Sequence, residues 1–418
     1  MKNNSDQFSP GECQSGQSRR GFIAGAGSAA MAFSIIGPGL ARGSQANSKI
    51  SLGLFGCGRR GTWIADLFRK NGGYEVTAAA DYFPDRVNTF GDKYNVPAAR
   101  RFTGLKGFQR LLDAKVDAVA IVSPPYFHHE QAAAAVEAGV HVYMAKPVAV
   151  DVPGCRSIEA SAKRAAEKKL AYLVDFQTRT DPFYQEAIRR VQKEASIGRI
   201  VSGEASYLAS DPWVKMKVFP ELAANPQDPE LQLRGWGLMR AYSGDIITEQ
   251  DIHSVDVMDW ILDQHPQKAL GTGGRGSRTV GDAWDNFSVI YWFPNDVVVT
   301  FYSKKYGAGA DDIACQMYGT EGTIDTHYAG DVGIKGKVNY AGTRDPMLFS
   351  TGVERNIATF HEQINSGQLD YSTVTPAVQS TLTTILGRNA AYKQAEVTWD
   401  HLMQSKEVLE PHLEGLKG

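Results

Sequence analysis

Short apolar runs of strand length alternate with amphipathic stretches through the first half of the chain. Residues 49–55 are apolar between polar flanks, 62–68 have helical spacing, and 74–80 repeat the strand pattern before Asp81. A further strand over 116–122 runs into Ser123-Pro124-Pro125. An Ala-rich helix over 130–138 follows, then a strand over 141–144 that runs into Ala145-Lys146-Pro147. Strands alternating with helices predict a parallel sheet, with ligands gathered beyond the carboxyl ends of its strands. Ser123, Pro124, His128 and Lys146 are therefore expected to face a ligand.

The second half reads differently. A helix is expected over 182–194, strands over 200–207, 287–293 and 297–302, and helices over 353–364 and 376–393. Pro294-Asn295-Asp296 fits a hairpin turn between the last two strands. The stretch 219–233, with Pro220, Pro226 and Pro229, is expected to be a loop near a substrate. No internal repeat or low-complexity block interrupts the chain.

The first strand enters Gly56-Cys57-Gly58-Arg59-Arg60-Gly61 and leads into the first helix. In such a turn Gly56 permits the tight bend, Gly58 admits a pyrophosphate to the backbone, and Gly61 allows close helix–strand packing. Asp81, 25 residues after Gly56, stands where an acid grips the adenosine ribose hydroxyls. A carboxylate there disfavours a 2′-phosphate, so NAD is expected. Arg59, Arg60 and Arg86 keep NADP open, since a guanidinium can bind that phosphate. The first half is thus expected to be a Rossmann dinucleotide-binding domain.

Composition narrows the classes. The 418 residues carry Lys+Arg 44 against Asp+Glu 46, and 43% are hydrophobic, enough for two domain cores. A net charge of −2 without a basic run argues against nucleic acid as partner. The four cysteines (Cys13, Cys57, Cys155, Cys315) form neither a disulfide framework nor a zinc pattern, and no metal is expected. Near the start, Ser18-Arg19-Arg20-Gly21-Phe22-Ile23 precedes a weakly apolar run from Ala24 to Ile36 and a small-residue stretch ending Ser44-Gln45-Ala46. This reads as a twin-arginine export signal over 1–46, whose apolar run is too short to span a ~30 Å bilayer. Export would place the mature protein in the periplasm or another extracytoplasmic space, with buried free thiols.

Four stretches carry a resemblance: the glycine turn, Ser123 to His128, Ala138 to Pro147, and Glu249 to His253. With Val397-Thr398-Trp399-Asp400 near the end, the chain resembles the glucose–fructose oxidoreductase / inositol dehydrogenase (Gfo/Idh/MocA) family, in its exported twin-arginine branch. The resemblance implies an α/β fold: the Rossmann domain over 47–175, then a substrate and oligomerisation domain over 176–418 with an open, mostly antiparallel sheet. It also implies a homodimer or homotetramer. Three departures stand out. The usual Glu-Lys-Pro is Ala145-Lys146-Pro147, the usual Gly-Gly-Gly before the catalytic acid is Ser243-Gly244-Asp245, and the usual catalytic Asp is Glu249.

The implied chemistry is hydride transfer between a nicotinamide and a secondary hydroxyl of a sugar, glycoside or cyclic polyol. Such a step needs a base for the hydroxyl proton and a donor for the developing oxyanion. His253 is expected to be the base, Lys146 to hydrogen-bond the reacting oxygen, and Glu249 to orient one of them. Glu249 and His253 lie four apart, so on one helix they share a face. Asp251 is expected to be solvent-facing and His128 to pack beside the cofactor. Trp213, Trp236, Tyr242 and Trp284, with Arg234, Arg240, Asp285 and Asn286 nearby, either line a carbohydrate site or belong to the core. Two readings compete with net oxidation. One is redox-neutral chemistry with retained cofactor, as glycoside cleavage or sugar transhydrogenation; the other is cofactor binding without catalysis.

Overall fold

A computed structural model describes residues 49–309, 311–328 and 330–418. The export-signal reading of 1–46 lies outside the described residues.

The first sheet has six parallel strands: β1 (Ile50–Phe55), β2 (Tyr74–Asp81), β3 (Arg101–Thr103), β4 (Ala118–Ile121), β5 (His141–Ala145) and β6 (Tyr172–Asp175). Their order, β3-β2-β1-β4-β5-β6, is that of the doubly wound dinucleotide folds. All four residues of β4 are buried, as expected for a strand covered on both faces. The helices between strands are α1 (Arg59–Asn71), α2 (Pro84–Tyr94), α3 (Gly107–Asp113), α4 (His128–Glu137) and α5 (Val152–Glu167). The start of α5 is fixed by Asp151, whose carboxylate accepts from Gly154 N at 2.8 Å.

Helix α6 (Pro182–Glu194) matches its predicted span, because Asp181 caps Phe183 N and Tyr184 N and Pro182 opens the first turn. After β7 (Ile200–Ala209) come five short helices. They are α7 (Val218–Ala224), α8 (Pro229–Arg234), α9 (Arg240–Ser243), α10 (Ile246–Glu249) and α11 (Ile252–Leu262). Strands β8 (Lys268–Gly274), β9 (Asn286–Trp292), β10 (Val298–Lys305), β11 (Asp312–Gly319), β12 (Gly322–His327), β13 (Val332–Gly336) and β14 (Tyr340–Ala341) follow. Helices α12 (Leu348–Ser366) and α13 (Val374–Lys393), strand β15 (Val397–Thr398) and helix α14 (Trp399–Met403) complete the elements.

The second sheet has nine strands in the order β14-β13-β12-β11-β7-β10-β9-β8-β15, antiparallel throughout except for the β7–β10 pair. The expected hairpin joins β9 to β10, with Asn295 and Asp296 both at positive φ in its turn. One face of the sheet packs on α11 and α13, while Val201, Leu270, Ile290 and Tyr302 stand exposed. Helix α12 returns to the first sheet's helix α1, and α13 lies against both α5 and α11. These two returning helices tie the halves together beside the carboxyl ends of β5 and β6. Cys57, Cys155 and Cys315 are free and buried, as expected.

Candidate active site

At one end of the strand edge the glycine turn is built around three constraints. Gly56 has φ of +95°, and a Cβ there would lie 2.7 Å from the Val122 carbonyl oxygen. A side chain at Gly61 would run into the Gly56 carbonyl. A Cβ at Gly58 would meet nothing nearer than Arg86 Nη1, 3.9 Å away, so the space in front of it is open. The open space in front of the Gly58 backbone, at the N-terminus of α1, fits the pyrophosphate of NAD. Asp81 holds the turn: one oxygen accepts from Cys57 N at 2.7 Å, the other from Phe83 N at 3.0 Å. Each oxygen keeps a lone pair for a ribose hydroxyl. Burial pushes the Asp81 carboxyl up, and the Arg86 guanidinium and the two backbone donors act against that. The adjoining cleft is lined by Gly56, Asp81, Phe83, Arg86, Ser123 and Leu233 among others. Pro124 lines it too.

The other end gathers charge. Lys146, just beyond β5, donates to the Glu249 carbonyl and lies 3.6 Å from Glu249 Oε1, both side chains mostly enclosed. Burial lowers the Lys146 ammonium's pKa, and Glu249 acts against that. His253 is buried, with Nδ1 making no hydrogen bond within the protein, and its ring lies 5.3 Å from that of Tyr328. Burial, then the positive charges of Lys146, Arg60 and Lys305, hold its pKa well below the usual histidine value. The imidazole is therefore neutral at neutral pH and free to accept a proton.

Several expectations are corrected here. Glu249 and His253 do not share one helix: Gln250 and Asp251 break α10 from α11, and Glu249 turns to Lys146. Arg60 does not serve the adenosine end. It reaches Asp175 at 3.5 Å and lies over the rings of Trp63 and Phe349. Arg59 is exposed and forms no ion pair among the described residues. His128 sits behind the cleft: its ring nitrogens meet the carbonyls of Pro147 and Ser123, both at 2.8 Å, tying two strand-end loops together. Asp251 is not solvent-facing but fully buried.

The stretch 219–233 is largely helical, as α7 and α8, because Asp228 caps Leu231 N and Pro229 opens α8. It covers the adenosine cleft, with Leu233 in the lining and Arg234 paired to Asp85 at 3.1 Å. All four expected aromatics belong to packing clusters. Trp213 meets Trp236 edge-on, and Tyr242 is buried beside Phe127. Trp284 stacks on Tyr392 with ring centroids 4.0 Å apart. Asp285 closes a loop by accepting from the backbone N–H groups of Gly276, Ser277 and Arg278.

Asp175 was missed, although its place at the carboxyl end of β6 marks it. It accepts from Asn356 Nδ2 at 2.8 Å and from Gln177 Nε2 at 3.2 Å, beside Arg60. Asn356 and Tyr328 arrive from α12 and the end of β12, and no local pattern announces either.

The order of the parallel sheet, the open cradle at Gly58 and the charged cluster at its edge define a nicotinamide-dependent oxidoreductase. Residues 50–176 match the model of the Gfo/Idh/MocA oxidoreductase family's NAD-binding Rossmann fold, and residues 185–325 match that family's C-terminal domain. The chain belongs to this family, and its cofactor is NAD.

Among its relatives is the levoglucosan dehydrogenase of Pseudarthrobacter phenanthrenivorans, 27% identical over 250 residues, 55% of this chain and 61% of that enzyme. The match thus spans about three fifths of that relative's length. An inositol 2-dehydrogenase of Rhizobium meliloti is 24% identical over 71% of this chain and 82% of its own. The scyllo-inositol dehydrogenase of Lactobacillus casei, solved with bound NAD(H) and scyllo-inositol, superposes with a TM-score of 0.64 at 21% identity. That superposition covers 84% of this chain and 100% of that one.

Proposed function

We propose that this protein oxidises a secondary hydroxyl of a sugar, glycoside or cyclic polyol, with net formation of NADH. The observation that carries the reading is the enclosed Lys146–Glu249 pair beside a neutral, buried His253 at the strand edge. NAD supplies the hydride acceptor. His253 takes the hydroxyl proton on a ring nitrogen, and Lys146 hydrogen-bonds the reacting oxygen as it acquires charge. Glu249 holds Lys146 at that place through its carboxylate and its carbonyl. Asp175, buried and fixed by Asn356 and Gln177, holds the Arg60 guanidinium at this end of the strand edge. Trp63 stacked on Phe349 at 4.5 Å gives an apolar face against which sugar C–H groups pack.

The two relatives named above are dehydrogenases of levoglucosan and inositol, which supports net oxidation over redox-neutral chemistry. The test is a panel of inositols, anhydrosugars and aldoses with NAD, read by NADH formation. Cleavage of an aryl glycoside without net NADH would overturn the reading.

The twin-arginine stretch at residues 18–23 supports export, checked by whether replacing Arg19 and Arg20 with lysine keeps the protein in the cytoplasm. The exposed face of the nine-stranded sheet, with Val201, Leu270, Ile290 and Tyr302, supports a homo-oligomer. A monomer in light scattering at micromolar concentration would refute it.

A further inference from the structure

Behind Glu249 lies a second charged pair with no counterpart in the mechanism above. Asp251 and Lys305 are both fully buried, with Nζ 3.6 Å from Oδ1. Both oxygens of Asp251 and Nζ of Lys305 lack a hydrogen bond of good geometry within the protein; the hydroxyl of neighbouring Ser303 leans toward the Asp251 carboxylate without completing one. The ammonium instead lies over the ring of Tyr207, 3.3 Å from its centroid. A structural ion pair in such a place normally closes its remaining hydrogen bonds, because each buried polar group left open is destabilising. This pair leaves three charged-group atoms open, and it sits two residues from both Glu249 and His253.

The charged and titratable groups acting on the pair are Asp245, Glu249, Lys146 and Arg278. Tyr207, Tyr291 and His253 feel its charges in turn. Burial raises the Asp251 carboxyl to about 7 and lowers the Lys305 ammonium to about 8. A carboxyl with that affinity gains or loses a proton near neutrality.

We propose that Asp251, held against Lys305, is a proton store for the hydride-transfer site, filled when the cofactor is reduced and emptied when it is oxidised. The inference rests on the oxidoreductase reading. With NAD bound, the substrate C–H bond would yield its electron pair to that cofactor as hydride, and the O–H proton would go to His253. As His253 returns to neutral, the Asp251 carboxylate would take up one proton and become a carboxylic acid, while Lys305 keeps its ammonium. The positive nicotinamide of NAD⁺ repels a proton on Asp251, whereas the neutral ring of NADH does not. Cofactor charge and store are thereby linked.

The experiment is isothermal titration of the whole protein with NAD⁺, and separately with NADH, in two buffers of different ionisation enthalpy. No substrate is added, so its outcome is independent of the substrate panel. At a pH of about 7, NAD⁺ should expel roughly half a proton per site and NADH none. Asp251→Asn should abolish that difference, and Lys305→Met should shift it to higher pH by removing the cation that favours the carboxylate. Equal proton counts for NAD⁺ and NADH in the unmodified protein would overturn the proposal. So would a difference that persists undiminished in Asp251→Asn. If the asparagine variant fails to fold, the unmodified protein and Lys305→Met still decide it.

Discussion

The two ends of the strand edge are built on opposite rules. At the adenosine end, both oxygens of Asp81 are held by backbone N–H groups, and the turn is fixed by packing at Gly56 and Gly61. At the nicotinamide end, His253 Nδ1 is buried without a hydrogen bond, and Asp251 and Lys305 meet only as a buried ion pair that leaves their hydrogen bonds open. Closed polar groups give a rigid cradle whose task is position. Open ones keep proton affinities movable, at a cost in stability that a purely structural core would not carry. The comparison assigns binding to one end and proton chemistry to the other.

The sharpest way to break that assignment is to remove the charged end. Lys146→Met or His253→Ala should each lower turnover by ~10²–10⁴ while leaving the NAD dissociation constant within a few-fold. Comparable loss of NAD affinity would mean the two ends are not separable. The same assignment predicts the pH profile. Because His253 is held neutral, the acid limb of kcat/KM should fall below the ordinary histidine value of ~6.5.

Between the ends stands His128, which should matter for stability and not for chemistry. Because the neutral imidazole donates one N–H, His128→Ala should cost roughly 1–3 kcal/mol by denaturant unfolding, as one of the two carbonyls loses its donor. Burial lowers its pKa to about 4 in the folded protein, while the unfolded chain binds the proton at ~6.5. The unfolded state therefore holds more protons in that window. The contribution is present above ~6.5 and is lost as pH falls toward 4. A variant whose stability changed little, or whose acid sensitivity was unaltered, would return His128 to the cofactor site.

At the adenosine end, Asp81→Ala should weaken NAD about tenfold, near 1.4 kcal/mol, with little change in turnover at saturating cofactor. Fluorescence titration gives the first quantity and steady-state kinetics the second. A large fall in turnover would place Asp81 in the chemistry.

How much of this was written locally differs between the same two ends. The glycine turn, Asp81 and the strand–helix alternation are contiguous patterns, because a cradle for a pyrophosphate is made by one strand, one turn and one helix. The hairpin at Pro294-Asn295-Asp296 and the capped helix from Pro182 were legible for the same reason. The nicotinamide end draws on β5, β6, the α10–α11 break, β10 and α12, which meet only through tertiary packing. Spacing placed Glu249 and His253 on one helix because it carries no sign of the break at Gln250 and Asp251. Lys305 reads as the last residue of a half-exposed strand, and nothing around it announces burial against Asp251. Asp228 likewise overrode the loop signal of three prolines by capping α8.

The smallest expected effect tests the cover over the adenosine cleft. Arg234 reaches across from α8 to Asp85 at 3.1 Å and lies over the Phe83 ring at 3.9 Å, close to where Leu233 enters the lining. Asp85 is mostly exposed, so the ion pair is worth at most about 1 kcal/mol, with a comparable share from the cation on the ring. Its guanidinium holds the Asp85 carboxyl below the usual range, so the pair's contribution is present above ~3.9 and lost as pH falls further. Arg234→Ala should therefore weaken NAD by less than about fivefold, and added salt should narrow the gap between variant and parent. The loss should appear in the cofactor's dissociation rate, because removing a cover changes escape more than encounter. A loss confined to the association rate would mean that α8 steers NAD electrostatically toward the cleft instead of closing over it.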